Sequence, residues 1–84
     1  MIKLLYFAWL REKAGLAEEQ VEPPGTVTSV HGLIDWIRAR GGGPAEALAD
    51  LATVRVAVNR EYAMLDHPVK SGDEVAFFPP VTGG

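Results

Sequence analysis

Residues 74–84 read EVAFFPPVTGG. Val75 and Phe77 alternate with Ala76 and Phe78, the period of a strand in which successive side chains point to opposite faces. Pro79 and Pro80 follow at once. Neither has a backbone N–H to give to a neighbouring strand, so the ladder must stop there and the chain is expected to leave in an extended course. Val81, Thr82, Gly83 and Gly84 can reach at most about 13–14 Å beyond the prolines, at roughly 3.3–3.6 Å per residue. Without a Cβ, Gly83 and Gly84 can enter a channel too narrow for any other pair. The spacing points to a C-terminal carboxylate, that of Gly84, delivered into the active site of another protein. A flexible tail is the plain alternative.

Working outward, MIKLLYFAW at residues 1–9 is also rich in strand formers and apolar on both of its faces. Ile2, Leu4 and Tyr6 share one side, while Leu5, Phe7 and Trp9 share the other. Such a strand is either central or carries a face that awaits a partner. LREKAG is a short helical turn closed by Gly15, and EEQVEPPG is an edge strand ended by Pro23, Pro24 and Gly25. From Thr26, the expected N-cap, apolar residues fall three or four apart at Val27, Val30, Ile34 and Ile37, widened by Leu33 and Trp36. The run Gly41-Gly42-Gly43 stops that helix and reads as a connector, before a short helix with Pro44 in its first turn. TVRVAVN alternates again, with Val54, Val56 and Val58 on one side and Arg55 and Ala57 on the other, and a short strand is expected near Tyr62. These elements fit an α+β roll in which one main helix covers a small mixed sheet.

Eighty-four residues hold one domain, taken as residues 1–80 with an extended tail at 81–84. A net charge of −3 and the lack of any Lys/Arg run argue against nucleic acid as a partner. No apolar stretch approaches the ~20 residues of a membrane span, and Lys3 interrupts the only apolar start, so neither a membrane nor a signal peptide is indicated and a cytoplasmic location is expected. Cysteine is missing altogether, which removes disulfides, thiolate metal sites and a cysteine nucleophile.

A conventional active site does not assemble. His31 and His67 lack metal-ligand spacing, and Ser29 and Ser71 lie in no nucleophile motif. The adjacent acids Glu18-Glu19 and Asp73-Glu74 would point to opposite sides of their strands. No metal site is expected, and no bound cofactor.

DHPVKSGDEVAFFPPVTGG, residues 66–84, together with MIKLLYFAWLRE, residues 1–12, closely resembles the small-subunit family of molybdopterin synthase, sulfur carriers of the β-grasp (ubiquitin-like) fold. The resemblance spans essentially the whole chain. It implies that an ATP-dependent, E1-like activating enzyme adenylates the Gly84 carboxylate, and that a sulfur donor then turns it into a thiocarboxylate. It further implies a heterotetramer with the large synthase subunit, which receives the tail and builds the dithiolene of molybdopterin from a cyclic pyranopterin monophosphate precursor. A chain without cysteine could thus carry sulfur and supply it without being catalytic alone. With Ile2, Leu4, Tyr6, Val56, Val58, Val75 and Phe77 turned to the helix, Phe7 and Phe78 emerge on the open face of the sheet; the family pattern adds Tyr62. Exposed aromatics beside such a tail are expected to anchor a partner. A minor core under the short helices is the alternative for that patch, and a ubiquitin-like protein modifier or a thiamine-pathway sulfur carrier is the alternative for the function.

Overall fold

A computed structural model describes residues 1–80, and Val81, Thr82, Gly83 and Gly84 lie outside the described residues. The chain runs through β1 (Ile2–Tyr6), α1 (Trp9–Ala14), β2 (Glu18–Val21), α2 (Val30–Arg40) and α3 (Gly42–Ala47). A single 3-10 turn at Leu51–Thr53 then leads to β3 (Arg55–Val58), β4 (Glu61–Ala63) and β5 (Glu74–Phe78). The five strands form one sheet in the order β2-β1-β5-β3-β4. The central pair, β1 and β5, is parallel, whereas the other neighbours are antiparallel. This is the mixed sheet with one long helix that the alternation predicts.

The core lies between the sheet and α2. Ile2, Leu4 and Tyr6 of β1, Val56 and Val58 of β3, and Val75 and Phe77 of β5 are all buried with Val30, Leu33, Ile34 and Ile37 of α2. Tyr6 and Phe77 stack at 5.5 Å between ring centroids. Their adjacency follows from the parallel register, which sets Tyr6 opposite Phe77. At the sheet's β2 edge, Arg40 reaches back from the end of α2 to Glu19 Oε2 at 3.0 Å while lying over the Trp36 ring at 4.8 Å. Burial pushes the Tyr6 hydroxyl to a higher pKa, the charge of Glu19 adds to this, and Arg40 opposes it.

Two expectations are corrected. The N-cap of α2 is Ser29, not Thr26: its hydroxyl accepts from the Gly32 amide at 3.1 Å. The reason is non-local. Ser29 bridges Pro68, and Val69 donates to the Thr28 carbonyl at 3.0 Å, so the chain stays extended through Ser29 and the helix opens later. Val27 therefore packs against the core from outside the helix.

The glycine run is more than a connector. Gly41 closes α2 with φ 76°, but Gly42 and Gly43 already belong to α3, which begins two residues before Pro44. A Cβ on Gly43 would stand 2.2 Å from the Ala14 carbonyl oxygen, so the α1–α3 contact is close enough to demand glycine there.

Candidate functional site

Because Val75 and Phe77 point to α2, Ala76 and Phe78 must point away from it, to the sheet face that no helix among the described residues covers. The registers order the side chains on that face. Tyr62 stands opposite Ala57, Ala57 opposite Ala76, and Ala76 opposite Leu5, which makes one row across four strands. In the next row, toward the end of β5, Arg55 stands opposite Phe78. Phe7 extends this row by one step past β1, donating its amide to the Phe77 carbonyl at 3.0 Å.

Two alanines at the centre decide the shape. With only methyl groups at 57 and 76, the Tyr62 ring can lean across β3 and meet Phe78 edge-on at 5.6 Å. Phe7 is 48% exposed and Tyr62 74%, values high for aromatics of this size. The other end of the face is charged and satisfied within itself. Lys3 Nζ is 3.4 Å from Glu18, and Arg60 Nε is 3.7 Å from Glu74. The sheet face is thus divided, and its apolar half lies at the end of β5 from which Pro79 and Pro80 lead away.

Of the residues singled out in the sequence, Phe7, Tyr62 and Phe78 come together on this half, with half-buried Pro79 and Pro80 directly after them. Val81, Thr82, Gly83 and Gly84 lie outside the described residues. The alternative of a minor core over Phe7 and Phe78 fails, because α1 and α3 pack against each other and leave Phe7 exposed. The alternation in the sequence put Arg55 and Ala57 on the side of β3 away from Val56, but it gave neither a role, because only the β3–β5 register sets Arg55 opposite Phe78 and Ala57 opposite Ala76.

The remaining candidates have local roles. His31 Nε2 lies 3.5 Å from Asp35 on the same helix, and His67 Nδ1 lies 2.8 Å from its neighbour's carbonyl at Pro68. Glu18 and Glu19 do diverge, one to Lys3 and one to Arg40. Among the described residues no group of three His, Cys, Asp or Glu could hold a metal ion, and no helix is long and apolar enough to cross a membrane.

Buried Asp73 organises the approach to β5. Its carboxylate accepts from Asn59 Nδ2 at 3.0 Å and from the Lys70 amide at 2.9 Å. Burial alone would push this carboxyl up; those two hydrogen bonds, with the positive charges of Lys70 and His67, outweigh it and hold the pKa below the ordinary value. Asn59 is also tied to Glu74, through an amide donated to its side chain and one donated in return. The β3–β4 turn and the start of β5 are thereby locked together.

The sequence profile of the ThiS family matches residues 4–84. The chain belongs to the ThiS family. The chain is 43% identical to the molybdopterin synthase sulfur carrier subunit of Escherichia coli strain K12, over the whole length of both proteins. Among solved structures, a molybdopterin converting factor subunit 1 from Pyrococcus furiosus superposes with a TM-score of 0.76 at 35% identity, covering 95% of this chain and 97% of that one. Small archaeal modifier protein 1 from Haloferax volcanii gives a TM-score of 0.67 at 32% identity, with the same coverage. These solved structures share the β-grasp arrangement of sheet and helix described above.

Proposed function

We propose that this chain is the sulfur carrier subunit of a molybdopterin synthase. The carrying observation is one of placement: β5 leaves the sheet through Pro79 and Pro80 at the apolar end of the open face, so the aromatic patch and the root of the tail coincide. The full-length similarity to the Escherichia coli carrier supports the same reading.

In this proposal Phe7, Tyr62 and Phe78 dock on the large synthase subunit, and residues 81–84 extend into its active site. An E1-like enzyme first joins the Gly84 carboxylate to the adenylyl group of ATP, releasing pyrophosphate. A sulfur donor of hydrosulfide oxidation level displaces AMP and leaves the thiocarboxylate. The carrier contributes no acid or base to the later steps; those belong to the large subunit. ATP is a substrate of the activating enzyme and no cofactor of this chain.

The test is an intact-mass measurement of the chain purified with its native partners. A mass change equal to one oxygen-for-sulfur exchange at the C-terminus is expected. Deleting Gly84, or replacing Gly83 by Val, should abolish the exchange while leaving the unfolding midpoint unchanged, because the tail lies beyond the last core residue. Wild-type sulfur loading in either variant would overturn the threading of the tail. The similarity to an archaeal modifier protein favours one second reading, attachment of Gly84 to lysines of other proteins. Isopeptide adducts without the sulfur exchange would establish that reading instead.

A further inference from the structure

The open face of the sheet carries a charge that no carboxylate among the described residues answers. Lys3 pairs with Glu18 and Arg60 with Glu74, but Arg55 has no carboxylate within ion-pair distance among the described residues. Its one side-chain hydrogen bond among the described residues goes to the carbonyl of the preceding residue, Val54, at 3.1 Å. A guanidinium has five N–H donors, so most of its capacity faces solvent. The cross-strand register puts it directly opposite Phe78, inside the apolar half of the face.

That position matters when a protein docks there. Covering Phe78 and Tyr62 strips water from their neighbour, and an unpaired buried guanidinium is costly unless a charged acceptor replaces the water. A carboxylate does this best, since its two oxygens match the planar fork. We propose that Arg55 sets the specificity of the docking face by pairing with an Asp or Glu side chain of the large synthase subunit. The proposal rests on the docking reading given above. The aromatic rings supply contact area, which is tolerant of the partner, whereas the arginine rejects a surface that offers a cation or only apolar groups.

The experiment is calorimetric titration of the large subunit with the full-length chain and with Arg55→Gln, Arg55→Glu and Arg55→Lys, with Phe78→Ala as reference. Arg55 is exposed at the start of β3, so thermal melts of its three variants should match the wild type. We expect Arg55→Gln to weaken binding about tenfold, Arg55→Glu by about a hundredfold or more, and Arg55→Lys to restore part of the loss. The salt dependence of Kd should be shallower for Arg55→Gln than for the wild type. If Phe78→Ala weakens binding but Arg55→Gln and Arg55→Glu stay within about twofold of the wild type, the pairing is overturned and the docking face stands. Tighter binding by Arg55→Glu would mean that the partner presents a cation and would overturn it as well. If Phe78→Ala also binds within about twofold of the wild type, the docking reading fails and this proposal falls with it.

Discussion

Tyr62 meets Phe78 edge-on, at 5.6 Å between centroids and 65° between planes, on the opposite side of the sheet from the stacked Tyr6–Phe77 pair. Two consecutive phenylalanines thus serve two different surfaces. One is fully buried against α2, and the other stands beside the solvent-facing tyrosine.

Truncation should separate them. Phe77→Ala leaves a cavity under the sheet and should cost about 3–5 kcal/mol of folding stability. Phe78→Ala should leave the fold nearly intact while weakening association with the large subunit by about 1–2 kcal/mol or more. Denaturant melts and binding titrations on both variants check this. The opposite assignment would mean that β5 is shifted by one residue in its register.

How much of this was legible beforehand follows from the range of the interactions involved. Alternation in EVAFF and TVRVAVN is local, and it gave the two faces of β3 and β5 correctly. The start of α2 was misplaced because a distant segment, Pro68 and Val69, holds Thr28 and Ser29 extended. No pattern near Thr26 records that pairing. Gly43 likewise reads as loop until Ala14 is brought against it. Arg55 looked like an ordinary polar position, since its meaning depends on which strand lies next to β3.

The β3–β4 hairpin offers a stabilising change. Asn59 and Arg60 both have positive φ, 51° and 71°, the pattern of a two-residue turn that favours Asn-Gly. Asn59 already suits it, but Arg60 carries the strain of a side chain in the left-handed region. Its ion pair with Glu74 is long and its side chain is 87% exposed, so little is lost with it. Arg60→Gly should raise stability by about 0.5–1 kcal/mol, net of the extra chain entropy of glycine. An unchanged or lowered midpoint in urea would show that the turn tolerates arginine without cost.

Two glycines should respond in opposite directions to the same methyl group. In Gly43→Ala the new Cβ would collide with the Ala14 backbone, so α1 and α3 must separate, at a cost of about 1–3 kcal/mol or more. In Gly32→Ala the nearest atom is Ser29 Oγ at 3.5 Å, ordinary contact, and the cap hydrogen bond from the residue 32 amide survives. That variant should gain up to about 1 kcal/mol from helix propensity. Thermal melts of the two proteins, measured together, check the contrast.

Asp73 makes the acid limb of stability predictable. Its pKa in the folded chain lies below the ordinary value of 3.8, so the folded state binds its proton less readily than the unfolded state does. The stabilisation it provides is therefore fully present above that ordinary value, which the unfolded chain keeps, and is lost as pH falls from there through the folded pKa. Asn at this position can still accept one hydrogen bond, but its NH₂ would face the Asn59 amide or the Lys70 N–H, both donors to the carboxylate. Asp73→Asn should lower stability at pH 7 by about 1–3 kcal/mol and remove this residue's share of the decline at acid pH. Urea melts from neutral pH down to below the folded pKa check both parts. The gap between wild type and variant should be constant above the unfolded pKa and narrow below it. A gap that persists unchanged at the acid end would mean that the carboxylate is not stabilised by folding, and that its hydrogen bonds with Asn59 and Lys70 do not lock the start of β5.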